Sequence, residues 1–109
     1  MVTPPRRPGW AELWWVDLDG ASRRPALVLN RPEAVARLPR ILVAPASTRV
    51  RGLVSEVHLD VDDGVPKPCV LQLDTPELVD PRRCTEHIST LSATRWHEVC
   101  AAMSAAINC

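Results

Sequence analysis

Two polar clusters interrupt an otherwise apolar chain, and their side chains suit chemistry on a phosphate group. Arg23 and Arg24 stand directly before Pro25, where an apolar segment begins. Pro25 fixes its own φ and biases the preceding residue towards extended backbone, so we expect Arg24 to be held stiffly. The second cluster, "ASTRVRG", follows another apolar segment and carries two hydroxyls and two arginines: Ser47, Thr48, Arg49 and Arg51.

An arginine beside a hydroxyl favours phosphodiester chemistry. A guanidinium stabilises the charge that builds on phosphorus, and a hydroxyl orients a non-bridging oxygen. One preorganised donor of this kind contributes roughly 100- to 1000-fold in rate. We expect Arg24 and the hydroxyl of Ser47 or Thr48 to converge on one anion if their strands end at the same rim. The competing interpretation is a pair of solvated arginines and an ordinary turn.

Charge is distributed unevenly along a chain whose formal net charge is zero. Residues 1–51 carry nine arginines against four acids, which gives +5, and residues 52–109 carry four basic residues against nine acids, which gives −5. Twelve of the thirteen basic residues are arginine, the side chain that presents two parallel donors to a phosphate. The pattern predicts a basic surface for an anionic partner, with chance segregation as the alternative.

Cysteine and histidine spacing predicts neither a metal site nor a disulfide framework. No C-x-x-C pair occurs, and His97 and Cys100 share a helical i, i+3 spacing without a second ligand pair of zinc-like spacing. Because some ribonucleases use a histidine pair as acid and base, His58 and His87 are candidates for that role. Their places on predicted strands favour strand-surface histidines. The four cysteines are interpreted as small structural thiols: Cys69, Cys84, Cys100 and Cys109.

The elements that must position these side chains are short strands followed by one helix. The C-terminal helix begins after an N-cap at Ser92, with an apolar face of Trp96, Val99, Cys100, Met103 and Ile107, and ends near Asn108. A tight turn at "LDGAS" and a short helical turn starting at Pro32 connect the first strands. The predicted strands are Ala11–Leu18, Pro25–Asn30, Arg40–Ser47 (broken by Pro45), Leu53–Asp60, Cys69–Asp74 and Cys84–Leu91.

This order predicts a mostly β, α+β fold: a small, mainly antiparallel, barrel-like sheet with a terminal helix. We expect one domain over residues 1–109, with residues 1–9 flexible. The chain has no apolar run of transmembrane length and no secretory signal, so we expect a cytoplasmic protein without a membrane partner. Trp14 and Trp15 point to opposite faces of the first strand. At most one is therefore expected in the core, and the other is expected to face solvent, RNA or a second subunit, with a dimer interface as the preferred use.

Four pieces of the chain, in one order, resemble the MazF/PemK family of toxin–antitoxin endoribonucleases. They are "LWWVDL" in the first strand, "RPALVL", the P-x-hydroxyl motif followed by R-G, and "LS-x-x-R" at the start of the last helix. The similarity extends from about Trp10 to Cys109. It implies an SH3-like barrel with a C-terminal helix, usually a homodimer, whose partner is an acidic antitoxin.

The resemblance also implies a reaction and assigns residues to it. Members cut single-stranded RNA sequence-selectively and without a metal or other cofactor, by attack of the substrate's 2′-hydroxyl, leaving a 2′,3′-cyclic phosphate and a 5′-hydroxyl. The family's arginine before proline falls on Arg24, with roles in proton transfer and phosphorane charge, and its threonine falls on Ser47. These two are the expected catalytic residues. The expected RNA-binding residues are Arg23, Thr48, Arg49 and Arg51.

Some positions differ from the family pattern. Only "DGAS" precedes the arginines, so the longer loop that supplies a glutamate in many members is absent. Ser47 replaces threonine, and Thr48 beside it is the alternative source of the hydroxyl. Asp74-Thr75 stands where the family has Asp-Gln or Asp-Asn. Two other functions therefore stay open: a non-catalytic toxin of the gyrase-poison kind and an RNA-binding barrel that has lost catalysis.

Overall fold

The computed structural model describes residues 7–18, 22–31, 33 and 37–107. The predicted turn at residues 19–21, the helical turn starting at Pro32, and Asn108 and Cys109 lie outside these residues. The described strands are β1 (Glu12–Leu18), β2 (Ser22–Val28), β3 (Ile41–Ser47), β4 (Glu56–Leu59), β5 (Cys69–Gln72), β6 (Glu77–Val79) and β7 (Cys84–Thr90), and helix α1 spans Ala93–Ile107.

The strands form one antiparallel sheet in the order β4-β5-β3-β2-β1-β7, with β6 paired to β3. β2 pairs with β1 so that Trp15 lies opposite Pro25. The residues of the first polar cluster therefore lie at the start of β2. Antiparallel pairing of β3 with β2, in which Pro45 lies opposite Ala26, brings the second cluster to the same end. The predicted fold class is confirmed. The described pairings leave β4 and β7 unjoined, so the sheet is barrel-like and not closed.

Apolar side chains are buried on both faces of β1, β2 and β3. On one face Leu13 and Leu27 pack with residues of β4, β5 and helix α1, including Val99. On the other face Trp14 and Val16 pack with residues of β6 and β7. Burial on both faces explains why these strands are nearly continuous apolar runs and do not alternate cleanly.

Pro45 does not break β3, contrary to the sequence prediction. It lies opposite Ala26 of β2, within an unbroken strand. On its other edge β3 pairs with β6 at residues 41–43 and with β5 at Ala46 and Ser47. Pro45 stands between these two pairings, where a missing N–H interrupts neither ladder.

The predicted strand Leu53–Asp60 is too long at its start, because β4 begins at Glu56. The Glu56 carboxylate accepts hydrogen bonds from the backbone N–H groups of Arg51, Gly52 and Leu53. These bonds fold residues 51–55 into a loop, on which Val54 is 80% exposed. Apolar alternation there reflects a surface loop and not a strand face.

Arg51 completes this loop by binding two carboxylates. Its Nε donates to Glu56 at 3.2 Å, and its two terminal nitrogens donate to Asp74 at 3.1 and 2.8 Å. The guanidinium lowers the pKa of Asp74. Burial opposes ionisation of Glu56, whose side chain is 1% exposed. The hydrogen bonds from residues 51–53 nevertheless lower the pKa of Glu56 below its ordinary value.

These lowered pKa values predict a loss of stability in acid. A carboxylate whose pKa is lower in the folded state stabilises the fold above its unfolded pKa, and that contribution is lost as the pH falls through its folded value. We expect the thermal midpoint to fall below about pH 4.5, the ordinary pKa of glutamate. In the double variant Glu56→Gln/Asp74→Asn the decline should be shallower, as followed by circular dichroism across a pH series.

The matched control is Asp62→Asn, since Asp62 is exposed and its carboxylate pairs with no cation in the described part of the chain. It should leave the acid decline unchanged. An equally steep decline in the double variant would show that the Arg51 cluster does not contribute to acid sensitivity.

Helix α1 begins as predicted, because the N–H of Arg95 donates to the hydroxyl of Ser92 at 3.3 Å. The Arg95 side chain then fixes the helix to the sheet: its guanidinium donates to the backbone oxygen of His58 in β4 and to Asp63 at 3.2 Å. This contact explains why an arginine follows the N-cap by three residues.

The predicted apolar face of the helix is partly wrong. Val99 and Ala102 are buried, and Trp96 and Met103 pack partly buried against them. Cys100 is exposed, and Ile107 is 60% exposed. Ala102 lies in the core beside Val99, at a position that large apolar residues alone do not indicate.

The segment preceding β1 is packed where it is described. Residues 1–6 of the predicted flexible segment 1–9 lie outside the described residues, but Pro8 is buried and the Gly9 N–H donates to Glu12 at 2.6 Å. Trp10 packs against Trp96 with ring centroids 4.8 Å apart. The described helices include none with the length and apolar character needed to cross a bilayer.

Candidate nucleic-acid active site

A cavity of about 240 Å³ lies where β2 begins and β3 ends. It brings together both polar clusters identified from the sequence. Three cations and two hydroxyls contribute to its lining, and the described residues of the lining include neither a carboxylate nor an imidazole. The lining residues are Trp15, Arg23, Arg24, Pro25, Ala46, Ser47, Thr48, Val65, Pro66, Lys67 and Cys69.

Arg24 is exposed at the cavity and keeps its donors available. It lies in β2 opposite Val16, one residue before Pro25, so the ladder and the proline ring together hold its backbone extended. Within the described residues no carboxylate pairs with its guanidinium. A charged fork without a partner, held on a rigid strand, is available to an anion entering the cavity.

The guanidinium of Arg23, the neighbouring arginine, contacts an aromatic ring and a carboxylate. Its guanidinium lies 4.7 Å from the centroid of the Trp15 ring, and its Nη1 donates to the Glu86 carboxylate at 3.3 Å. The side chains of this pair are 49% and 61% exposed, so the ion pair is weak and readily exchanged. Arg23 thus lines the cavity while covering part of an aromatic surface.

Ser47 and Thr48 both line the cavity, but their hydroxyls differ in constraint. The Ser47 Oγ is half-buried and accepts the N–H of Arg49 at 3.1 Å, which leaves its own O–H free to donate. Thr48 is exposed. The geometry therefore orients the Ser47 hydroxyl more firmly than that of Thr48.

Arg49 and Arg51 do not line the cavity. Arg49 is exposed on the loop that follows β3. Arg51 uses three of its five N–H donors on Glu56 and Asp74. A contact of either residue with RNA stays a prediction, and for Arg51 the observed ion pairs give its guanidinium a structural role.

Folding redistributes the charge asymmetry seen along the chain. Arg23 and Arg51, from the basic half, pair with Glu86 and with Glu56 and Asp74 from the acidic half. Conversely, Lys67 comes from the acidic half and lines the cavity. The basic half thus supplies Arg23 and Arg24 to the cavity, and the fold adds Lys67 from the acidic half.

His58 and His87 are not among the residues that line the cavity, and the buried thiols of Cys69 and Cys84 are inert. His58 is exposed on β4, and His87 packs edge-on against Trp14. Burial raises the pKa of Cys84 to about 12 and also raises that of Cys69, so these thiols remain protonated. Among the described residues, no group of three or more histidines, cysteines or acids is arranged to hold a metal ion.

A family profile described as "PemK-like, MazF-like toxin of type II toxin-antitoxin system" matches residues 10–107. This match spans β1 through α1, and with it both clusters of the cavity. The chain belongs to this family. The resemblance inferred from the four sequence pieces is thereby confirmed.

Curated relatives in the PemK/MazF family cover nearly the whole chain. The probable endoribonuclease MazF5 of Mycobacterium tuberculosis is 37% identical over 103 residues, which is 94% of each chain. The probable endoribonuclease MazF2 of the same species is 34% identical over 99 residues, covering 90% of this chain and 96% of that protein.

Solved structures agree with the fold. The Mycobacterium tuberculosis toxin MazF-mt6 superposes with a TM-score of 0.82 at 29% identity, covering 89% of this chain and 96% of that one. The MazE–MazF crystal structure from Deinococcus radiodurans superposes with a TM-score of 0.78 at 27% identity, covering 94% and 97%.

Two cavity residues fall outside the predicted site. Trp15 lines the cavity, while Trp14 is the core residue at 3% exposure, and a dimer contact of Trp15 stays a prediction. Lys67 reaches the cavity from the loop before β5, between Pro66 and Pro68. The flanking prolines in "VPKP" are the sequence signal for a rigidly presented lysine, but nothing in the sequence tells which strand end that loop approaches.

Proposed function

We propose that this protein is a metal-independent endoribonuclease that cuts single-stranded RNA sequence-selectively and thereby inhibits translation and growth as the toxin of a type II toxin–antitoxin system. The observation that carries the proposal is the cavity lined by Arg24 and by the Ser47 and Thr48 hydroxyls, where the part of the chain that the structure describes supplies neither an ion-pair partner for Arg24 nor a carboxylate in the lining. Such a lining favours an anion the size of a phosphodiester. The names of the mycobacterial relatives support the same reaction.

The proposed reaction uses the substrate's own 2′-hydroxyl. Its oxygen forms a bond to phosphorus as the bond to the 5′-oxygen breaks, and the proton lost from the 2′-oxygen is balanced by one gained on the 5′-oxygen. The products are a 2′,3′-cyclic phosphate and a 5′-hydroxyl. Arg24 donates hydrogen bonds to the non-bridging oxygens as charge accumulates there, and Ser47 orients one of them.

The proposal is tested by sequencing the 5′ ends of RNA fragments produced by the purified protein in EDTA. We expect 5′-hydroxyl fragments that begin at one recurrent short sequence, because the proposed transfer uses Arg24, Ser47 and the substrate's own 2′-hydroxyl and assigns no step to a divalent ion. Intact RNA, or cleavage only after a metal is added, would contradict the proposal. Tight salt-sensitive binding without cleavage would instead identify an RNA-binding barrel.

The same proposal includes partners and location. We place the protein in the cytoplasm, where RNA is available, acting as a homodimer and neutralised by an acidic antitoxin, as the family implies. The Deinococcus radiodurans relative was crystallised as MazE–MazF, which supports a protein partner for this chain. An acidic segment complements a cavity lined by three cations.

A further inference from the structure

Trp15 is an aromatic side chain left half-buried in the wall of the cavity. In the sheet it lies between Pro25 on β2 and Glu86 on β7, directly opposite both. The other tryptophans of the region have structural partners: Trp14 donates its indole N–H to Glu12 at 3.0 Å, and Trp10 packs on Trp96. In the described part of the chain, the indole N–H of Trp15 has no acceptor.

The position of Trp15 is fixed by an irregularity between β1 and β7. Trp15 pairs with Glu86 but Val16 pairs with Cys84, so Thr85 is an extra residue on β7. The Thr85 hydroxyl donates to the backbone oxygen of Trp15 at 3.2 Å. Bulges of this kind redirect a side chain beside a functional site, and the hydroxyl bond holds the redirected residue in place.

The ring of Trp15 is covered by a charged side chain, that of Arg23, and not by an apolar core. The Arg23 guanidinium lies 4.7 Å from the ring centroid and is held there by the exposed Glu86 carboxylate. Both aromatic rings and guanidinium planes accept a nucleobase by stacking. A phosphate competing for Arg23 would break only a weak, exposed ion pair.

We propose that Trp15 is the stacking platform for one nucleobase beside the cleaved phosphate, and that Arg23, held by Glu86, covers this platform when RNA is absent. The inference rests on the proposed RNA-cleaving function and adds a base-binding position to it. Stacking recognises the face of a base and not its edge, so Trp15 supplies affinity and position more than base identity.

A thermodynamic cycle between the ring and individual bases tests the platform. The probe is a fluorescein-labelled oligoribonucleotide with the cleavage sequence mapped in EDTA, carrying 2′-deoxyribose at the nucleotide whose 2′-hydroxyl would attack. Each further probe has a single abasic residue, placed at one of the two positions before or the two positions after that nucleotide. Fluorescence anisotropy gives Kd for the protein, for Trp15→Leu and for the control Trp10→Leu.

We expect one abasic residue to weaken binding to the unchanged protein by roughly 5- to 150-fold, the range for loss of one stacked base. Trp15→Leu should lose a similar factor on the intact probe and become insensitive to that abasic residue. Trp10→Leu should bind as the unchanged protein does. Trp15→Phe, which retains a ring, should keep most of the affinity and guards against misfolding.

The cycle separates failure of this inference from failure of the function. If the protein cleaves RNA but Trp15→Leu retains the full abasic effect at every position, the platform is refuted and the nuclease stands. If the unchanged protein neither cleaves nor binds RNA, the proposed function itself is wrong and the platform falls with it.

The covering role of Arg23 has its own test in Glu86→Gln. Releasing Arg23 should tighten RNA binding by up to about 5-fold, the range of an exposed ion pair. If the gain comes from uncovering the platform, it should vanish in Glu86→Gln/Trp15→Leu. A gain that persists in that double variant would assign the effect to general charge repulsion and refute the cover.

Discussion

Arg24→Ala is expected to lower the RNA cleavage rate by roughly 100- to 1000-fold, the range for loss of one preorganised donor to a developing charge. The effect should fall mainly on kcat, because the guanidinium is needed most where negative charge builds on phosphorus. The thermal midpoint should change little, since Arg24 is exposed and pairs with no carboxylate in the described residues. Arg24→Lys should recover only a part, because an ammonium lacks the planar fork.

Arg49→Ala is the matched control for this experiment. Arg49 has the same charge and is exposed on the same region of the surface, but it does not line the cavity. A modest rise in KM with unchanged kcat is expected if it touches the RNA backbone. Equal losses of kcat in the two variants would remove the distinction on which the proposed site depends.

Ser47→Ala is expected to reduce cleavage more than Thr48→Val, by roughly 100-fold or more if the serine acts as a preorganised donor. The reason is geometric. Only the Ser47 hydroxyl is fixed by a backbone donor, the N–H of Arg49, while Thr48 lies exposed at the rim. Single-turnover cleavage of one RNA, with circular dichroism to monitor folding, provides the comparison.

The reverse order of effects would assign the hydroxyl role to Thr48, the alternative that the sequence leaves open. If neither single substitution changes the rate, the double variant Ser47→Ala/Thr48→Val decides between two explanations. Normal cleavage by the double variant would show that Arg24 acts without a hydroxyl partner, and loss of cleavage would show that the two hydroxyls replace each other.

The strands that form the core were the most predictable part of the fold. Long apolar runs in β1, β2 and β3 are typical of strands buried on both faces, but β2 spans Ser22–Val28 and not the predicted Pro25–Asn30, so proline did not mark its start. The three residues of β6 were not predicted, because so short a strand has no measurable period. Its pairing with β3 comes from tertiary contact alone.

The candidate site was predictable where local backbone decides it. The dipeptide Arg24-Pro25 indicates an extended, stiff arginine, and the structure places it at a cavity with Ser47. Pairing between distant segments was not predictable. No local pattern shows that Glu56 and Asp74 bind Arg51, or that Thr85 and Glu86 arrange Trp15 and Arg23. These contacts join residues 5 to 70 positions apart.

The pairing of β1 with β7 joins the first strand to the last. During synthesis on the ribosome, residues 12–18 therefore expose one edge until residues 84–90 have left the exit tunnel. A nascent or truncated chain that ends before Cys84 presents an unpaired strand edge and lacks the contacts of Thr85 and Glu86 with Trp15 and Arg23. An interrupted translation product is therefore expected to be degraded by proteases or to aggregate.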